Sequence, residues 1–472
     1  MARTKKQYPE DRRTKTGISL MWLSQVVAGG FITSYLMLYL TDYAGLYAGV
    51  PGAAAVAATT MLLVGRIWDA INDPIMGVII DRTPRTRWGR YKPYIVVAIP
   101  LSALALILLF NVPAGFGDPA KLLWIYLFYF LFDTALTALP FVPLTQTLTE
   151  DPGVRGKLYG LPRVVSLVAS MGMSSFIAVA IALGPDGITP NVGLAMAVFM
   201  VPLAVLSLIG VLMVKEGTAN AHEEAVNLKD LAGVLRVNRP LWVSMLSALI
   251  GGFSWTFTFG GANYYIKYAL GAENFGLTAA LVGLTMIVAL IIGVFISQAM
   301  VKRITPGLAT MVSWFTAAVP LAVLFFFNLA GPIRSIPLLF SILFLAMLGV
   351  GLGYVPGGLV LMECMDFNKA QLGKSMAGSL NAVNQMIQKL QAGISAVAVG
   401  AVLIAVGYDA TRYADAVNIP NELFFGLGLV IFGLPALLAA GAGAVMFFYP
   451  LLRSEDRERA LAPVLQEAAS ER

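Results

Sequence analysis

The sequence predicts an all-α membrane protein of twelve transmembrane helices in two six-helix bundles, and three observations carry that prediction. Of 472 residues, 58% are hydrophobic and 12% charged, about half the charge fraction of a soluble protein. So much apolar mass does not fit one soluble core, because such cores stop growing at roughly 250 to 300 residues. Twelve apolar runs reach about 20 residues, the length that crosses a hydrocarbon layer of roughly 30 Å. Finally, Lys and Arg concentrate in alternate connections between those runs, as they do in cytoplasmic loops.

The first bundle takes the runs at 17–40, 52–80, 93–113, 121–148, 163–184 and 191–214. Ahead of it lies a basic tail with Arg3, Lys5, Lys6, Arg12, Arg13 and Lys15 and no small-residue cleavage signal, so no removable signal peptide is expected. The connection after the second run holds Arg82, Arg85, Arg87, Arg90 and Lys92. The longest polar stretch, 215–239, divides the chain after residue 214 as a cytoplasmic linker. The second bundle, 240–449, takes the runs at 240–268, 277–299, 306–328, 335–362, 376–405 and 421–449, and a tail follows at 450–472. The other connections carry only Lys121, Lys267, Arg334 and Arg412, which places both termini in the cytoplasm of a cell with the protein in its inner membrane. A monomer is the expected form. Many Gly and Ala residues suit spans packed closely through small side chains.

Several function classes lose their parts. One cysteine, Cys364, and one histidine, His222, exclude a disulfide framework and a thiolate zinc site. Gly373-Lys374-Ser375 imitates the end of a phosphate loop, but position 368 is Asn where that loop needs Gly. Neither HExxH nor GxSxG nor CxxC occurs, so no enzyme activity, cofactor or nucleic-acid partner is expected.

Ionisable groups inside spans are costly, at least about 2.5 to 3.5 kcal/mol each, and therefore informative. In the second run, RIWDAINDPIMG, Asp69 and Asp73 are four apart, about 40° around a helix and one turn along it, with Asn72 beside them. Two carboxylates and an amide on one face suit a monovalent cation or a shared proton. Pro74 has no N–H for the Ala70 carbonyl, which adds an oxygen. The competing reading is an internal salt bridge from Arg66, three residues before Asp69, and the two can coexist. The fourth run offers Asp133 with Thr134 and Thr137 ahead of Pro140 and Pro143; Asp133 fits either a site or a helix-packing acid. The fifth opens on Arg163. The eleventh carries Lys389 beside Asn381, Asn384, Gln385 and Gln388, a polar stripe suited to a cavity wall. Trp68 and the pair Tyr264-Tyr265 have the right faces to stack on a sugar ring, although aromatic residues at span ends also anchor the membrane interface.

RIWDAINDPIMG followed by DRTPRTRWGRYKPYI resembles the glycoside-pentoside-hexuronide:cation symporters, typified by melibiose permease, within the major facilitator superfamily. The resemblance extends through YLMLYLTD in the first run, LPF in the fourth, LPR before the fifth, ANYYIKYALG in the seventh and GSLNAVNQMIQKL in the eleventh. It implies alternating-access symport of a sugar with H⁺ or Na⁺, the cation on Asp69 and Asp73, to which the residue pattern adds Asn72 and Thr134 as further candidate ligands. The resemblance places Arg163 and Lys389 at the sugar, and the residue patterns above add Gln385, Asn381, Asp133, Trp68 and Tyr264 as candidate sugar contacts and Asp81, Arg82 and Arg90 as a cytoplasmic latch. Val26, Ala138 and Val142 stand where melibiose permease has its two sugar carboxylates and a tryptophan, and Ala135 stands where the sodium site has its threonine. The resemblance therefore implies a cavity more positive than a galactoside carrier's, suited to an acidic sugar, and coupling by H⁺ unless another oxygen replaces that threonine. A lipid or lysolipid carrier of the same fold is the alternative, with the Asn and Gln of the eleventh run favouring a hydroxylated substrate.

Overall fold

The computed structural model describes residues 11–148, 172–186, 189–217, 238–269, 275–372, 397–405 and 421–470, with the single positions 158, 162, 165, 169, 391, 394 and 408. Its helices are α1 (Arg12–Met21), α2 (Leu23–Phe31), α3 (Ala53–Arg82), α4 (Lys92–Leu109), α5 (Asp118–Thr137), α6 (Phe141–Gln146), α7 (Phe176–Ala182) and α8 (Val192–Met213), then α9 (Arg239–Ala269), α10 (Phe275–Met300), α11 (Pro306–Leu329), α12 (Ile336–Leu352), α13 (Tyr354–Leu372), α14 (Asn421–Gly428), α15 (Leu434–Met446) and α16 (Ser454–Ser470). Among the described residues, ten stretches are long and apolar enough to cross a membrane. Of the expected fifth span, 172–184 is described and contains α7, while the expected eleventh span falls largely outside the described residues, which there comprise 397–405 and the single positions 391 and 394. The helices cluster into two compact units. One holds Met1–Glu223 with Glu273–Leu281 and Gly407–Asp415, the other Glu224–Ala272 with Val282–Val406 and Ala416–Arg472.

In the first unit α1 and α2 lie on α8, α4 on α5 and α8, and α3 on α5. The α1–α8 crossing depends on small residues. A Cβ on Gly210 would sit 2.6 Å from the Gly17 carbonyl oxygen and 2.6 Å from the Met21 amide nitrogen. The fully buried Ser207 hydroxyl, one turn before it, donates to the Leu20 carbonyl at 3.0 Å and accepts from the Ser24 amide at 3.0 Å. Gly210→Val is accordingly expected to destabilise the purified protein by about 1–3 kcal/mol, read as a lowered melting temperature, because backbone atoms cannot rotate away as a side chain can.

The span after α2 continues through two π-helical turns, Ile32–Leu36 and Tyr39–Tyr43. The second presents Asp42, which accepts from the Thr41 hydroxyl at 2.6 Å and from the Tyr408 hydroxyl on both oxygens at 2.9 Å. Pro140 breaks the fourth span, having no N–H to continue the ladder, so α5 ends at Thr137 and α6 restarts at Phe141. By contrast α3 runs unbroken through Pro74. The connection after α3 is ordered by a residue that sequence reasoning missed. Glu216 accepts the backbone N–H groups of Arg90, Tyr91 and Lys92 at 2.7, 2.9 and 3.1 Å, capping the otherwise unpaired start of α4.

In the second unit α9 packs on α15, and α11 on α12 and α15. Several of its buried polar groups are paired across helices. Tyr265 donates to the Asn328 side-chain oxygen at 2.7 Å and accepts from the Ile333 amide at 2.9 Å, while Asn328 donates to the Phe424 carbonyl at 3.1 Å. Midway along α13, Glu363 is 4% exposed and pairs with Arg457 of α16, with the Tyr449 hydroxyl donating to its other oxygen at 3.3 Å.

Candidate functional site

The site is built where α3 approaches α5 closely. At Gly65 a Cβ would meet the Tyr129 ring at 2.4 Å, so only glycine lets that ring lie against the helix. Arg66 follows directly in the chain, and Asp69, Asn72 and Asp73 lie one to two turns further along α3. Asp69 is 7% exposed and Asn72 5%, so both have lost most of their water. Arg66 Nη1 contacts Asp69 Oδ2 at 2.9 Å, which makes the internal salt bridge real. From α5, the Thr137 hydroxyl donates to Asp73 Oδ1 at 2.9 Å. The break at Pro140 ends the helix just past this threonine.

Thr134, expected beside the cation, instead accepts the Trp68 indole N–H at 3.1 Å, and the Trp68 ring packs on Phe130 with centroids 5.2 Å apart. Trp68 thus ties α3 to α5. The hydroxyl next to the carboxylates belongs to Thr137, three residues or nearly one turn beyond Thr134 and on the same stripe of α5. Asp133 is buried on that helix, and together with Arg66 and Asp69 it lies within electrostatic reach of the Tyr129 hydroxyl. Among the described residues the Nδ2 atom of Asn72 and the Nε atom of Arg66 are buried without a hydrogen-bond partner. Unpaired buried polar atoms are rare, and each asks for an occupant or a motion.

The other expected positions are less concentrated. Arg163, Asn381, Gln385 and Lys389 lie outside the described residues, as does the side chain of Asp81. Tyr264, expected as a sugar platform, is 0% exposed, and Tyr265 is 1% exposed, so neither ring offers a face for stacking; α9 uses them for packing. Arg82 is exposed, and Arg90 contributes its backbone amide to Glu216. Among the described residues no three His, Cys, Asp or Glu side chains converge on a metal position. The oxygen set here is two carboxylates with an amide and a hydroxyl, which fits a monovalent cation or a proton better than a divalent metal.

The sequence as a whole matches a protein family described as MFS/sugar transport protein over residues 22–453. An isoprimeverose transporter of Lactiplantibacillus pentosus is 25% identical over 454 residues, covering 93% of this chain and 88% of its own. A glucuronide carrier protein homolog of Escherichia coli (strain K12) is 23% identical, covering 92% of each chain. A sodium-dependent lysophosphatidylcholine symporter of Danio rerio is 32% identical, but over 147 residues and 31% of this chain. Among solved structures, a D-xylose-proton symporter shares the fold with a TM-score of 0.62 at 13% identity, covering 93% of this chain and 96% of that one. With the match running through both units, the chain belongs to the sugar-transport family of the major facilitator superfamily, a family of multi-pass membrane transporters.

Proposed function

We infer that the protein is a sugar or glycoside symporter driven by a monovalent cation, working by alternating access as a monomer in the inner membrane with both termini cytoplasmic. The observation that carries this reading is the pair of carboxylates Asp69 and Asp73 with Asn72 on α3, inside a membrane span, with the Thr137 hydroxyl of α5 2.9 Å from Asp73. Buried carboxylates are costly unless they bind something, and a coupling cation removes that charge before the cavity closes. Reciprocity then requires sugar to tighten cation binding by the factor with which cation tightens sugar binding.

Thr137 supplies the hydroxyl that Ala135 lacks, so Na⁺ is the favoured coupling ion. Uptake into proteoliposomes is expected to be stimulated by a Na⁺ gradient. Substrate-dependent alkalinisation in sodium-free buffer, with no response to Na⁺, would instead assign the site to H⁺. The substrate follows from Arg163 and Lys389, two cations that an anionic sugar would neutralise. Calorimetry is expected to give tighter binding of a hexuronide than of its neutral glycoside, with the preference shrinking in Lys389→Gln and Arg163→Gln. Full-length similarity to sugar carriers, against a partial match to the lysolipid carrier, favours sugar over lipid.

A further inference from the structure

Three helix ends come together in the first unit, and each brings a cation. α1 begins at Arg12, α4 begins at Lys92 and α8 ends at Met213, with α1 and α4 both packed on α8. The Lys92 ammonium reaches over the end of α8, donating to the Val214 carbonyl at 2.8 Å and to that of Leu212 at 3.5 Å. Gly17 of α1 lies against the same residue, since a Cβ there would sit 2.8 Å from a Val214 methyl. Arg13 is four residues before Gly17, one turn nearer the helix start on the same stripe, and Lys215 follows Val214 directly. Both Arg13 and Lys215 are exposed, and both are within electrostatic reach of Lys92. Among the described residues no carboxylate forms an ion pair with any of the three. The neighbouring acids are committed elsewhere: Glu216 to the amides that open α4, and Asp11 to the Thr14 amide at 2.7 Å.

An apolar track leads up to these cations. Val201, Val205, Ile209 and Leu212 of α8 are 44% to 56% exposed, and their spacing puts them on one stripe of the helix. From Val201 to Leu212 the helix rises about 16 Å, roughly half of a hydrocarbon layer of about 30 Å. The connection leading to α4 carries Trp88, 48% exposed with the Arg87 guanidinium 5.8 Å from its ring centre, an indole of the kind found at headgroup depth. We propose that the stripe and the three cations form a binding site for one anionic phospholipid, an acyl chain lying along α8 and the phosphate sitting among Arg13, Lys92 and Lys215. The lipid is a resident ligand, not cargo. Capping of the last α8 carbonyls accounts for Lys92 but gives Arg13 and Lys215 no partner. A phosphate supplies one through charge-assisted hydrogen bonds, and by touching α1, α4 and α8 together it ties the three helices. A free phosphate would use the cations and leave the stripe uncovered.

The purified full chain in neutral detergent is titrated with dioleoylphosphatidylglycerol, and retained lipid is counted by native mass spectrometry. Dioleoylphosphatidylcholine and inorganic phosphate serve as comparisons. One phosphatidylglycerol is expected to bind about tenfold or more tightly than phosphatidylcholine, and inorganic phosphate is expected not to displace it. A cation at the membrane surface contributes about fivefold in affinity for an anionic lipid. Arg13→Gln and Lys215→Gln should therefore each weaken phosphatidylglycerol about fivefold, and the double variant about 25-fold, with phosphatidylcholine unmoved. Both side chains are exposed, so the fold tolerates the changes. Lys302→Gln combined with Arg303→Gln removes the same charge from two exposed residues of the second unit and should leave binding unchanged. Equal weakening in that control would reduce the effect to a general attraction between a basic protein and an anionic surface, and overturn the proposal. Equal retention of the two lipids would do the same, as would displacement of the lipid by inorganic phosphate.

Discussion

Asp73→Asn is expected to abolish concentrative sugar uptake while leaving sugar binding and energy-independent exchange. The amide keeps the shape of the carboxylate and can still accept from Thr137 at the 2.9 Å contact, so the local fold survives. What disappears is the charge, one of the two that bind the cation, and the loss of affinity is on the order of a hundredfold. Accumulation measured against a Na⁺ or H⁺ gradient should collapse to the equilibrated level. Counterflow of labelled sugar, which needs no gradient, should continue. Asp69→Asn behaves likewise with one addition: it releases Arg66 from its salt bridge at 2.9 Å, so some loss of thermal stability accompanies the loss of coupling. Full concentrative uptake by both variants would remove the carboxylates from the mechanism.

The second large effect is on stability and lies in the other unit. Arg457→Ala leaves the Glu363 carboxylate, 4% exposed, with the Tyr449 hydroxyl at 3.3 Å as its one remaining donor among the described residues. An ionised acceptor stranded in this way costs about 2–3 kcal/mol. In a unit of this size that lowers the melting temperature by about 5–10 °C in scanning fluorimetry. Glu363→Gln placed on top of Arg457→Ala should recover much of the loss, because a neutral amide needs no counter-charge. A double variant as unstable as the single one would show that Arg457 acts through packing, not charge.

Much of this was legible in the sequence, for identifiable reasons. A span must be long and apolar whatever its neighbours, so α4, α8 and α10 could be bounded within a few residues from composition alone. Asp69 and Asp73 were legible because a carboxylate inside a span is expensive and a spacing of four fixes its face. Thr134 and Thr137 were not separable, since spacing places both on one stripe of α5 and only the packing against Trp68 divides their roles. Tyr264 read as a sugar platform because a sequence shows an aromatic residue but not how completely it is covered. Glu216 and Arg457 escaped for a different reason. Their partners, the amides opening α4 and the carboxylate of Glu363, lie more than ninety residues away in the chain, and no local pattern marks them.

The Glu216 clasp has a practical consequence for dividing the protein. Its carboxylate serves the helix start at Arg90–Lys92, the Gly217 amide donates to the Thr147 hydroxyl at 3.1 Å, and Arg85 reaches the Gly217 carbonyl at 2.8 Å. Residues 214–217 therefore belong to the first unit as firmly as any span does, although they read as the opening of a polar linker. Two gene fragments meant to be co-expressed and to reassemble should be cut after Gly217. A cut at residue 214 would separate α4 from the carboxylate that caps it.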